Sequence, residues 1–414
     1  MQHFPTRLTY CTNIHAGEAW QDHFRGLQEK FPAIKTAVSP DQPMNIGLRL
    51  SNQASLALLD ESRLQLFKQW LHEQQAYVAL INGFPYGDFH QQAVKENVHA
   101  PDWTRVERRD YTLRLVSILA SLLPEDVDGG ISTAPLGYRH WYNGSDESWE
   151  NAVQQSTAHV IDVVLALYEL QQNTGKIIHL DIEPEADGIL ENGEEFLNWY
   201  LNDLLTAAIP AFKKHHQLDD EAADHAIKQH LRICYDVCHF ALGFENHQQM
   251  LDKFEAEGIL IGRFQISAAL KGFLSSDEIE RLQTVNAFGG FDEPLYLHQV
   301  VAKTASGDIT RYRDLSDALD LVTDEEQEWR SHFHVPVFLD DFDVLTSTQD
   351  DIVNVLSLNQ QRQLTSHLEV ETYTWQVLPM EYQLPIEESI SRELLWVKTE
   401  LQNLANGAEK NNEQ

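Results

Sequence analysis

Short apolar runs alternate with longer stretches whose apolar positions recur at helical spacing, and that alternation dominates the chain. LTYCTNIH (8–15) reads as a strand and EAWQDHFRGLQEKF (18–31) as the helix after it. MNIGLRL (44–50) is a second strand, followed by a helix over 55–75, and AYVALINGF (76–84) is a third. A helix over 104–123 stops before Pro124, which cannot continue the hydrogen-bond ladder. GGISTAPLGY (129–138) is a fourth strand, and an amphipathic helix over 146–175 ends at Gly175. IIHLDIE (177–183) and LRICYDV (231–237) are strands five and six, separated by a helix over 194–216, and GRFQIS (262–267) is the seventh. Such a series predicts βαβ units and a parallel sheet.

The last third is less regular. PLYLHQVVAKTASGDITRYRDL (294–315) predicts a β-hairpin turning at Ser306-Gly307-Asp308. FHVPVFL (333–339) and LEVETYTW (368–375) are further strands, which makes more than eight. The expectation is one (β/α)8 barrel over 1–405, an insertion over 294–340 near strand seven, and a disordered polar tail over 406–414.

Three of the runs end in acids: IIHLDIEPE, LRICYDVCH and HLEVETYTW. A barrel builds its active site at the C-terminal ends of its strands. Strand faces alternate, so Glu183 shares a face with Asp181, and Glu371 with Glu369. Carboxylates gathered there need a counter-charge, for which a divalent metal is the economical candidate. Glu183, Asp236 and Glu371 are the expected ligands. The plainer readings are a turn cap for Glu183 and satisfied core groups for the histidines.

Composition narrows the partner. Lys+Arg is 30 against Asp+Glu 64, a net charge of −34, which argues against nucleic acid and anionic membrane surfaces. Cys11, Cys234 and Cys238 form no CxxC pair and suggest a reducing compartment, with small apolar filler as the plain role of the last two. The N-terminus shows no basic-then-apolar signal segment, and no apolar run reaches the ~18 residues of a membrane span. The expected address is the cytoplasm and the expected partner a small metabolite. The sequence leaves the oligomeric state open.

The D-x-x-H of Asp236 and His239, set between strands ending in Glu183 and Gln265, resembles the xylose-isomerase-like barrels, which include sugar isomerases, epimerases and endonuclease IV. That resemblance implies metal ligands at Glu183, Asp236, Gln265 and Glu371, with Mn, Mg or Zn as the ion. Gln265 departs from the usual His. His332-Phe333-His334 falls where the nuclease branch carries a D-x-H, so His334 is a candidate replacement, and His90 a candidate extra ligand. His15, Asn82 and His239 are candidate substrate contacts, and Tyr373 and Trp375 candidate pocket walls. His298 reads as structural.

TNIHAGEAW (12–20), NGFPYGDFH (82–90), STAPLGY (132–138), DIEPE (181–185), DVCHFAL (236–242), FQISAAL (264–270), HFHVPVF (332–338) and EVETYTWQVLP (369–379) together resemble the EboE-type metabolite-traffic proteins. The resemblance implies a role in processing or trafficking a bacterial secondary-metabolite precursor. The chemistry suited to the acids is proton transfer next to a carbonyl or hydroxyl, with Glu183 and Glu371 as the acid–base pair. Two alternatives are a hydrolase or phosphodiesterase with two or more metals, and a binding protein on a retired enzyme scaffold.

Overall fold

A computed structural model describes residues 6–87, 95–375, 378, 380 and 383–412, with side chains as far as 407. Eight parallel strands form one sheet: β1 (Arg7–Tyr10), β2 (Met44–Arg49), β3 (Ala76–Asn82), β4 (Gly129–Thr133), β5 (Ile178–Ile182), β6 (Leu231–Asp236), β7 (Ile261–Ile266) and, last in the chain, β14 (His367–Val370). Their order is β1-β14-β7-β6-β5-β4-β3-β2. The ends meet through a single parallel bridge, Cys11 to Gly47. The Thr9 hydroxyl completes that seam, donating to the Asn45 carbonyl at 2.8 Å and accepting from the Gly47 amide at 2.9 Å. A side chain thus stands in for backbone pairing, and the expected (β/α)8 barrel closes.

The apolar faces of the strands, such as Ile46, Leu48, Ile131, Leu180 and Ile233, pack outward against the helices, and all are buried. The barrel interior is polar. Asp181, Arg263 and Glu369 are fully buried in it. Space for them comes from glycine: a Cβ on Gly47 would lie 1.8 Å from Glu369 Oε1, and one on Gly262 2.0 Å from Asp181 Oδ1. No other residue leaves room at those points.

The predicted elements shift where local polar groups intervene. Strand one stops at Tyr10, because Thr12 turns inward and its hydroxyl accepts from the Arg49 amide. The helix expected over 55–75 splits into Asn52–Ala57 and Glu61–Glu73, with Asp60 capping the second. The helix over 194–216 contains a π turn at Tyr200–Leu204. The helix Asp146–Thr174 ends as expected, with Gly175 left-handed at φ 75°.

The insertion is larger than expected. It begins right after β7 and forms a six-stranded sheet of order β10-β9-β11-β8-β13-β12. Its members are β8 (Ala268–Phe273), β9 (Val300–Thr304), β10 (Ile309–Tyr312), β11 (Glu326–Val335), β12 (Asp341–Phe342) and β13 (Leu345–Ser347). The hairpin forms as β9 and β10, whereas AALKGF, with no clear alternation, is a sequence-silent strand. FHVPVFL lies across the end of β11, where pairing with β8 shifts register between Ser331 and Val335. Such an irregularity re-aims side chains, here those of His332 and His334.

The last helix runs Ile386–Asn412, so 406–412 is helical where a disordered tail was expected. Ala, Glu and Lys extend an existing helix readily, since no new nucleus is needed. Residues 413–414 lie outside the described residues. No helix among the described residues is long and apolar enough to cross a membrane.

Candidate functional site

The three acids converge. Glu183 follows β5, Asp236 ends β6 and Glu371 follows β14, all buried. One carboxylate oxygen from each lies within 4.8 Å of the others. Glu183 is anchored by its amide, which donates to the Thr133 carbonyl at 3.0 Å. Asp236 Oδ1 accepts from the Ser267 hydroxyl at 2.6 Å and caps the helix Val237–Leu242 through the His239 amide at 3.2 Å. The D-x-x-H spacing is therefore an N-cap that also delivers an imidazole to the acids. Asp236 Oδ2 has no hydrogen-bond partner.

Glu371 is held by three amides. Oε1 accepts from Asn13 Nδ2 at 2.6 Å and Asn82 Nδ2 at 2.9 Å, and Oε2 from Gln265 Nε2. Gln265 Oε1 accepts the Cys234 thiol at 2.6 Å. Gln265 thus sits in the group but spends both ends of its amide within the protein, which fits orientation of Glu371 better than ligation.

The insertion supplies imidazoles. His334 is grouped with Asp236 and His239 within 4.8 Å. Its Nδ1 donates to the Glu371 carbonyl at 2.9 Å, leaving a buried Nε2 with no partner. His332 pairs with His239 (Nε2 to Nε2, 3.2 Å) and, through Nδ1, with Gln299 Oε1 at 2.8 Å. His239 Nδ1 donates to the Pro184 carbonyl at 3.0 Å. Glu185, His239 and His332 form a second group of the same tightness. His99 Nε2 lies 3.2 Å from Glu185 Oε1.

These groups enclose a cavity of ≈ 100 Å³ whose walls include Phe84, Tyr296 and Tyr373. Lys95 is at its rim, paired with Asp314 of the insertion. Burial, then the charges of Glu371, Asp236 and Glu185, hold Glu183 well above the usual carboxylate range. Burial followed by Asp236 and Glu369 pushes Glu371 up to about 8, against the hydrogen bonds from Cys11 and Gln265. Burial, then Asp236 and Asp187, raises Glu185. Burial lowers His334, and burial with neighbouring imidazoles lowers His239 and His332 further. Neutral imidazoles beside carboxyl groups short of counter-charge, with an unpartnered Asp236 oxygen and His334 nitrogen, fit a divalent cation.

Of the sequence candidates, Glu183, Asp236, Gln265, His334, Glu371, Asn82 and His239 are brought together. His15 is not. It accompanies Tyr10 on the outer face of β1, ring nitrogen 3.1 Å from the phenol oxygen, because the chain turns away after Tyr10. Tyr373 walls the cavity, while Trp375 stacks on Phe338 away from it. His298 is structural, held by Glu293 and the His332 carbonyl. His90 lies outside the described residues.

The expected metal counter-charge is corrected for two acids. Asp181 and Glu369 are neutralised by Arg263, at 3.2 and 2.7 Å. Sequence reading also missed Asn13, His99, Glu185 and Gln299. Glu185 is the second glutamate of DIEPE and was open to notice, whereas Asn13 and Gln299 fall within runs read as strands but lie just outside the strands that form, and His99 lies on a short 3-10 turn.

No family model matches the chain, and no curated protein matches it in sequence. Solved structures of similar shape include a protein IOLI with a bound zinc atom (TM-score 0.47, 12% identity, 96% of this chain and 99% of that one). A D-tagatose 3-epimerase-like protein gives TM-score 0.46 and 11% identity over 97% and 99%. The 3-keto-D-glucoside 4-epimerase YcjR from E. coli gives 0.42 and 10% over 95% and 99%.

Proposed function

We propose that this protein is a divalent-metal-dependent isomerase or epimerase of a small hydroxylated metabolite. The observation that carries the reading is the pair Glu183 and Glu371, drawn from distant strands to one buried point with Asp236 between them. Glu183, Asp236 and Glu371, with His334 completing the set, would hold the ion. When bound, it supplies the positive charge that keeps the acids ionised and stabilises negative charge on substrate oxygens.

The residues divide the remaining work. Glu371, fixed by Asn13, Asn82 and Gln265, presents a set oxygen to one side of the substrate. Glu183, without those restraints, takes the carbon-bound proton on the other. In an epimerisation the opposite carboxyl, protonated beforehand, delivers its proton to the other face of the same carbon. In an isomerisation the first carboxyl returns the proton to the neighbouring carbon while the hydroxyl proton passes between the substrate oxygens, so atoms balance without a co-reactant. Phe84, Tyr296 and Tyr373 exclude water and offer flat faces to a ring. Lys95, the one lysine lining the cavity among the described residues, is engaged by Asp314, which favours an uncharged substrate.

The eight motif segments support a finer reading. The protein would be of the EboE type, within the xylose-isomerase-like barrels, acting on a secondary-metabolite precursor in the cytoplasm. The net charge of −34 supports a small-molecule partner over nucleic acid.

The test is exchange of substrate carbon-bound hydrogen with deuterated water across polyols and hydroxy-ketones. Turnover should fall about 10²–10⁴-fold in both Glu183→Gln and Glu371→Gln, with exchange abolished. Exchange that persists in both variants would overturn the assignment. The group Glu185, His239 and His332 favours a second reading, a hydrolase with two metals. Alcohol or phosphate release without exchange, together with an ion lost specifically in His332→Gln, would establish that reading. Tight metabolite binding with no turnover would leave a binding protein on a retired scaffold.

A further inference from the structure

A second cluster of metal-ligand type lies at the opposite end of the barrel. Asp128 immediately precedes β4, His179 is the second residue of β5, and His367 opens β14. All three are at N-terminal strand ends, separated from the cavity by the layer of Asp181, Arg263 and Glu369. One ligand atom from each lies within 4.8 Å of the others.

The donor geometry is set by neighbours. His179 Nδ1 is 2.5 Å from Asp181 Oδ1, and Asp181 is held in turn by Arg263 at 3.2 Å. Nδ1 is engaged by Asp181, so Nε2 is the ring nitrogen that faces the cluster. That nitrogen is fully buried, has no hydrogen-bond partner, and faces Asp128 Oδ2 at 3.7 Å. A ring nitrogen this close to a carboxylate needs either a second ring proton or a bound cation, and the two outcomes are distinguishable. His367 Nε2 hydrogen-bonds the other Asp128 oxygen at 3.0 Å, a bond that an ion between them would replace. In a tetrahedral zinc site, bonds of ~2.0–2.1 Å put neighbouring ligand atoms about 3.3 Å apart. The two observed separations, 3.0 Å to Asp128 Oδ1 and 3.7 Å to Asp128 Oδ2, are of that order, with each histidine facing a different oxygen of the carboxylate.

We infer that Asp128, His179 and His367 form a second metal site, selective for a nitrogen-preferring ion such as Zn²⁺, that staples β4, β5 and β14 at the base of the barrel. Asp181 is the carboxylate that fixes the histidine tautomer. Arg232 Nη1, 3.1 Å from Asp128 Oδ2, orients the carboxylate and moderates affinity through its own charge. Two imidazoles and one carboxylate favour Zn²⁺ or Co²⁺ over Mg²⁺ or Ca²⁺. The Asp128 side chain, 29% exposed, gives the ion its entry. The site is remote from the cavity and independent of the proposed reaction.

The experiment equilibrates the protein with Zn²⁺, removes free ion, and counts bound zinc in wild type, Glu183→Gln, His179→Gln and the double variant. His179→Gln should lose one equivalent, Glu183→Gln should retain that equivalent, and the double variant should lack it. Added Zn²⁺ should raise the thermal midpoint of Glu183→Gln and not that of the double variant. Should His179→Gln fail to fold, zinc-edge anomalous scattering from wild-type crystals reads the same point. A peak between Asp128, His179 and His367 sustains the inference. No peak at saturating zinc, unchanged stoichiometry in a folded His179→Gln, or a His179 ring carrying both protons in zinc-saturated protein overturns it.

Discussion

Gln265 donates to Glu371 across the neighbouring strands β7 and β14, while its own carbonyl is occupied by Cys234. The residue that departs from the expected histidine is thus the one that aims a carboxylate. An imidazole reaches the acids from the insertion instead: His334 on β11, 98 residues after Asp236 in the chain, has a ring nitrogen within 4.8 Å of an Asp236 oxygen.

The two residues should therefore separate on substitution. Gln265→Leu should keep its metal at the cavity and raise the pKa of Glu371 above about 8, since the lost hydrogen bond favours the ionised form. His334→Gln should weaken metal binding by at least about tenfold. Metal titration of the two variants checks this. Equal weakening in both would make Gln265 a ligand.

Metal binding at the cavity should strengthen as pH rises towards about 8. Glu371 is raised to about 8, and Glu183 is raised as well, so protons must leave before both can bind a cation. Calorimetry in buffers of different ionisation enthalpy should register net proton release at pH 7. A binding heat independent of buffer would contradict it.

Stability should carry a separate pH signature from Glu393. Burial pushes this carboxyl up to about 8, against hydrogen bonds from Thr372 and the Val337 amide. The folded state retains a proton that the unfolded chain releases above its ordinary pKa. The contribution is present below about pH 4.5 and lost as pH rises to about 8, with a slope of up to ~1.4 kcal/mol per pH unit. Glu393→Gln should flatten that part of the profile in urea unfolding between pH 5 and 8. An unchanged slope would assign the dependence elsewhere.

Arg263→Met should be strongly destabilising. It leaves Asp181 and Glu369, both fully buried, without their shared counter-charge. Breaking a buried pair this way costs about 3–5 kcal/mol. Adding Asp181→Asn and Glu369→Gln should recover part of the loss. A urea midpoint unchanged in the single variant would show that the layer does not depend on the arginine.

The chain's periodicity was enough to determine the barrel, since seven strands separated by helices from Thr9 to Ile266 admit few other folds. It was also enough to place Glu183, Asp236 and Glu371 at strand ends, because face and end follow from the two-residue strand period. Tertiary structure decided the rest. Whether Asp181 and Glu369 meet a metal or Arg263 depends on which interior layer each strand's register places it in. His334 reaches Asp236 because a sheet of 268–347 folds back over the mouth, and His15 misses the cavity because the chain turns after Tyr10. The cluster of Asp128, His179 and His367 unites residues 128, 179 and 367 that no local pattern links. Periodicity encodes a residue's own face and end; distances between strands far apart in sequence arise only when the barrel closes.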